Sequence, residues 1–133
     1  MPLIFYKSNI IFLIIWDEAK GVVFDSRQSI WIYGVVHLLQ QFLEEYMKYA
    51  TEVGEVSLRT EPGVLTMYAV GEKDNPCKIT ILETYASKAA YNAHIVSEHF
   101  QKYKQGTLHM VKSLVLSDQM PLNPANRIEN YVQ

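Results

Sequence analysis

The residues able to do chemistry crowd into one stretch: Glu83-Thr84-Tyr85, then Tyr91, His94, His99, Phe100 and Tyr103. Imidazole titrates near neutrality, so His94 is a candidate base or hydrogen-bond donor in a cavity. It lies three residues beyond Tyr91, on the same helical face. The alternative is a helix-end histidine bonded to a backbone carbonyl. In an extended segment Glu83 and Tyr85 share a face with Ile79 and Ile81. A carboxyl in line with isoleucines sits at the wet end of a sheet or partly buried, where its pKa rises and it becomes a base. The plainer alternative is a glutamate paired with a lysine or capping a backbone group. Trp31, Tyr33 and Tyr68 belong either to the core or to a wall that stacks on a planar ligand.

Other chemistries lack their residues. The chain has no Gly-rich phosphate loop, no HExxH and no GxSxG. Its single cysteine, Cys77, permits no internal disulfide and no CxxC metal knuckle. With no histidine nearby in sequence, it reads as a small buried or edge side chain. His37 ends a strand, and His99 and His109 are too far apart on one helix to share a metal at i, i+4. Without a carboxylate at ligand spacing, no zinc or iron site is expected. Twelve Lys+Arg against fourteen Asp+Glu leave a net charge of -2. That balance argues against nucleic-acid binding, which needs a basic face.

Elements that must position these residues follow from periodicity. At 133 residues, with 49% apolar and 20% charged, the chain suits one compact domain with an ordinary core. Ile30 to Leu38, rich in β-branched and aromatic residues, reads as a strand. A helix follows from about Gln40 to Leu58, with Leu39, Phe42, Leu43, Tyr46, Met47, Ala50 and Val53 marking one buried stripe. Glu61-Pro62-Gly63 stops it and turns the chain. Val64 to Val70 and Cys77 to Tyr85 are strands around a polar loop. Ser87 caps a helix through His94 or Ile95, and Ser97 caps another reaching about Met110. Val111 to Leu116 is the last strand.

This order, β-α-β-β-α-β, is the split βαβ or ferredoxin-like arrangement, an α+β fold with an antiparallel sheet. Val64, Tyr68 and Val70 alternate with Leu65 and Met67, so the sheet is apolar on both faces. Helices cover one face. The other must meet something apolar, and a second copy of the same sheet predicts a homodimer. Residues 1–28 read as an extension forming a hairpin about Asp17–Gly21, and 119–133 as a tail. The longest apolar run, Ile10 to Trp16, has seven residues, where a membrane helix needs about 20. No membrane association is expected. With no small-x-small cleavage pattern before Asp17 the location reads as cytoplasmic, a cleaved signal being the alternative.

EPGVLTMYAV (Glu61 to Val70), ITILETYASKAAYNAH (Ile79 to His94) and SEHFQKY (Ser97 to Tyr103) closely resemble the antibiotic biosynthesis monooxygenase family, above all its small bacterial members of the quinol monooxygenase type. The match spans Ile30 to Asp118, so residues 29–118 read as the domain. The resemblance implies a dimeric α/β barrel of two ferredoxin-like subunits, each with a pocket between sheet and helices. It implies oxidation of a small quinol or phenol by O2 with no metal, flavin or haem. It also implies that His94 is the base or donor, that Glu83 orients it or acts through water, and that Tyr85 and Phe100 wall the pocket with His99. Tyr68 and Tyr91 complete the substrate-binding candidates. Tyr85 stands where the family often has Trp. Lys104 stands where its haem-degrading branch has an iron-binding His, so haem degradation is not implied. The remaining alternatives are an isomerase of a small hydroxy-ketone on the same scaffold and a non-catalytic small-molecule-binding or stress-response dimer.

Overall fold

The computed structural model describes residues 29–122 and the backbone of Leu3–Phe5. β2 (Ile30–Leu38), β3 (Val64–Gly71), β4 (Lys78–Tyr85) and β5 (Val111–Gln119) form an antiparallel sheet, and the three-residue β1 (Leu3–Phe5) extends its β5 edge. The order β1-β5-β2-β4-β3 contains the ferredoxin-like unit expected from the element sequence. α1 (Leu43–Thr60), α2 (Lys88–Ile95) and α3 (Glu98–Thr107) complete it. No helix among the described residues is long and apolar enough to cross a membrane. The hairpin turn expected at Asp17–Gly21 and the tail beyond Leu122 lie outside the described residues.

Register assigns the faces. Ile32 pairs with Glu83, Gly34 with Ile81 and Val36 with Ile79, which sets all six on the helix-covered side. Two clusters fill that side. Val36, Leu38, Ile79 and Met110 gather around Tyr46 of α1. Ile32, Val64 and Tyr85 gather around Tyr91 of α2. Cys77 packs, partly exposed, against the first cluster.

Two expectations are corrected here. Val64 does not share a face with Tyr68 and Val70. It pairs with Tyr85, whereas Thr66 pairs with Thr84, and the register shift between them leaves Leu65 as the extra residue. That bulge restarts the alternation, so Val64 and Met67 face the helices while Thr66, Tyr68 and Val70 face away. Met47 is 52% exposed and does not belong to the α1 stripe. Tyr49, partly buried, packs on the core cluster from that helix instead.

The outer face is apolar, and part of it is open. Tyr33 is 39%, Tyr68 61% and Val70 60% exposed. Trp31 is half-buried, its indole N–H donating to Ser29 Oγ at 2.9 Å.

Candidate active site

α2 carries His94 at its end. Ser87 starts the helix by accepting the Ala90 N–H at 3.1 Å, and Ser97 starts α3 by accepting the Phe100 N–H at 3.2 Å. The Ser97 hydroxyl also donates to the His94 carbonyl at 2.6 Å. This joint fixes α3 against the end of α2 and brings Phe100 to 5.0 Å from the His94 ring. The imidazole itself is 1% exposed.

Its hydrogen bond runs to neither a backbone carbonyl nor Glu83. His94 Nδ1 lies 2.8 Å from Glu61 Oε2, and His99 Nε2 lies 2.6 Å from the same oxygen. Burial pulls the Glu61 carboxyl upward, but the two imidazole hydrogen bonds outweigh it and hold its pKa below the ordinary value. An ionised carboxylate only accepts, so both nitrogens carry hydrogen. A neutral His94 is thereby fixed as the Nδ1–H tautomer, and its lone pair sits on Nε2.

Glu61 was missed as a site residue because Glu-Pro-Gly read as a helix stop. Two positions of that tripeptide have a second duty. Glu61 ends α1, its N–H bonded to the Ser57 carbonyl, while its side chain reaches α2 and α3. At Gly63 a Cβ would stand 2.4 Å from Ala90 Cβ, so only glycine lets the turn pass beneath α2. The quoted resemblance already contained the signal, since a turn alone does not require a glutamate.

A small cavity, about 40 Å³, lies between the sheet and the helices. Glu83, His94 and Phe100 line it together with Tyr46, Tyr103 and Met67. Tyr68 belongs to its β3 edge, though its register partner is Leu82 on the outer face. Tyr85 is not in the lining. It is fully buried behind Glu83, donating its hydroxyl to Glu83 Oε2 at 2.7 Å, and Tyr91 packs edge-on against it with centroids 5.1 Å apart. His99 is likewise outside the cavity, behind His94. Tyr46, expected only as part of the buried stripe of α1, also enters the cavity wall, its hydroxyl meeting that of Tyr103 at 2.6 Å.

Electrostatics divide the cavity's groups. Burial raises the Glu83 carboxyl, with the Tyr85 hydrogen bond and nearby His94 pulling the other way. Burial pushes Tyr46 up to about 12 and Tyr103 well above its ordinary value. These phenols therefore stay protonated and serve as hydrogen-bond partners.

A raised carboxyl has a stability consequence. The folded protein holds the Glu83 proton more tightly than the unfolded chain does. Its contribution is full below the unfolded carboxylate pKa and is lost as pH rises through the folded one. Glu83→Gln keeps an acceptor for Tyr85 and cannot ionise. Its Tm is expected to exceed wild type at pH 8 and to match it at pH 4, measured by scanning calorimetry. An equal change at both values would show that Glu83 is not held in its protonated form.

The arrangement offers an aligned imidazole lone pair, a carboxyl with raised proton affinity and an aromatic wall around one small space. Residues 38–106, just over half of the chain, match the antibiotic biosynthesis monooxygenase family. A Bacteroides thetaiotaomicron protein assigned to these monooxygenases is 46% identical, aligned over 79% of this chain and 100% of its own, with TM-score 0.74. Proteins so assigned from Caulobacter crescentus and Nitrosomonas europaea are each 17% identical, with TM-scores of 0.68 and 0.67. They align over 73% and 76% of this chain and 92% and 96% of their own, and speak for the fold alone. No curated protein matches the chain. With the family's sequence pattern over residues 38–106, and a relative nearly half identical throughout its length, the chain is a member of the antibiotic biosynthesis monooxygenase family.

Proposed function

We propose that the protein oxidises a small quinol or phenol with O2, using no metal, flavin or haem. The observation that carries this reading is the His94 ring held by Glu61 at the wall of a cavity shared with Glu83. His94 Nε2 takes the phenol proton. The electron-rich phenolate passes one electron to O2, and the resulting radical and superoxide combine at an unsubstituted ring carbon. The peroxide so formed expels water, which leaves one oxygen atom on the ring as a quinone carbonyl and the other in water. The departing oxygen takes one proton from the protonated His94 and one from the Glu83 carboxyl, and Glu83 recovers its own from the ring C–H that is lost as the carbonyl forms. An aromatic ring needs a cavity on the order of 150 Å³. Substrate therefore enters by outward rotation of Met67 and Phe100, both partly exposed.

The test is oxygen uptake by metal-stripped protein given a panel of hydroquinones and naphthalenediols, corrected for autoxidation. Uptake well above background supports the reading, and none across the panel overturns it. The pairing of His94 with Glu83 also suits proton shuttling in a hydroxy-ketone isomerase, which would exchange substrate hydrogen with solvent without consuming O2. A binding dimer would retain ligand and do neither.

We propose further that two copies pair through the outer sheet face, burying Tyr33, Tyr68 and Val70. The exposure of these side chains beside Trp31 supports it, since monomers rarely leave such a patch to water. Light scattering at micromolar concentration is expected to return twice 15.3 kDa. A monomeric mass would defeat the pairing.

A further inference from the structure

His94 belongs to two constellations at once. Its ring borders the cavity, and its Nδ1 faces away from it into the Glu61–His99 cluster. There His94 Nδ1, His99 Nε2 and a Glu61 carboxylate oxygen all lie within 4.8 Å of one another. Two imidazoles and a carboxylate form a donor set that suits first-row divalent cations, zinc among them. The three ligands come from the end of α1, the end of α2 and the start of α3, so the fold and not a local motif assembles them. Glu61 is 17% and His99 19% exposed, which lets an ion reach the cluster from solvent without crossing the cavity.

Geometry asks for a local adjustment of three side chains. Zinc–ligand bonds of about 2.0–2.1 Å in a tetrahedron set donors roughly 3.3 Å apart. The two Glu61 contacts are 2.8 and 2.6 Å, so an ion replacing the bridging hydrogens must spread them by roughly half an ångström and draw the two imidazole nitrogens, which lie within 4.8 Å of each other, toward that same spacing. A water would take the fourth position of a bound ion.

We infer that this cluster captures Zn2+ and that the bound ion switches the site off. The inference rests on the reading of His94 as the base. Without metal, Nδ1 carries the hydrogen and Nε2 presents a lone pair to the cavity. Coordination through Nδ1 moves the hydrogen of the neutral ring to Nε2. The nitrogen facing substrate then donates and no longer accepts a proton. The cation is thus an inhibitor of a metal-independent reaction and not its cofactor.

Three readouts test this, two of them independent of turnover. Competition with a chromogenic chelator is expected to give one tight zinc per chain, weakened at least about tenfold in Glu61→Gln and in His99→Ala. Nitrogen-15 spectra of histidine-labelled protein are expected to show His94 as the Nδ1–H tautomer without zinc and as Nε2–H with it. Oxygen uptake is expected to fall at least tenfold with one equivalent of zinc and to return with chelator. The ratio of rates without and with zinc should approach one in His99→Ala.

Absence of tight zinc, or binding unchanged in both variants, overturns the site. Zinc bound there with the His94 tautomer unmoved, or with uptake raised, overturns the switch. If metal-free protein consumes no O2 while zinc binds and the tautomer flips, the inference stands and the oxygenase reading falls.

Discussion

Replacing His94 with alanine is expected to lower the rate of oxygen uptake by about 100- to 10,000-fold, the usual cost of losing a positioned general base. The expectation follows from the tautomer. Glu61 holds the Nδ1 hydrogen, which leaves Nε2 as the acceptor at the cavity wall. No neighbour replaces it. The cavity tyrosines stay protonated, and Glu83, raised by burial, is suited to giving a proton back. The loss should therefore fall on kcat with KM little changed. A buried ring is being deleted, so folding must be checked by Tm alongside. Added imidazole, which fits the vacated volume, should restore part of the rate. A folded His94→Ala protein within tenfold of wild type would exclude this histidine as the base. His99→Ala is a milder perturbation, because it removes one of the two bonds to Glu61 and leaves the His94 bond in place.

Gly63→Ala should be strongly destabilising. Its new Cβ would stand 2.4 Å from Ala90 Cβ and 3.5 Å from Ala90 Cα. Neither atom is the flexible end of a side chain, so the collision is relieved only by moving α2 or the turn. Overpacking of this kind costs about 1–3 kcal/mol, a fall in Tm of roughly 4–11 °C at this size. Moving the turn also strains the 2.8 Å bond from the Ala86 N–H to the Gly63 carbonyl. Moving α2 carries His94 away from Glu61, so activity should fall with stability. Urea unfolding would show a lower midpoint at unchanged slope. Adding Ala90→Gly removes the clashing methyl and should recover part of the loss, offset by about 1 kcal/mol for glycine inside a helix. No recovery in the double variant would mean that the contact with Ala90 is not what requires glycine at 63.

Local signals carried the architecture. The β2 strand begins and ends where its β-branched run does, and the Ser87 and Ser97 caps start the two short helices. Hydrophobic period and capping chemistry act over a few residues, so a single sequence displays them. Glu83 and Tyr85 sharing a face followed from the two-residue strand period, and their 2.7 Å hydrogen bond bears that out. Where the period itself breaks, the reading failed. Nothing in VLTMY announces that Leu65 bulges, and that bulge moved Val64 to the other side of the sheet.

The site divides the same way. By itself, the sequence determined the order of elements, the helix on which His94 rides, and the supply of aromatic side chains around it. Only the tertiary structure decided that His94 answers to Glu61, 33 residues earlier, and that His99, 38 residues from the same carboxylate, shares its oxygen. Only it set Tyr85 behind Glu83 and out of the cavity. The physical reason is range. Strand alternation and helix capping are settled between near neighbours, whereas a hydrogen bond between the end of α1 and the ends of two other helices exists only once the sheet has fixed where those helices lie.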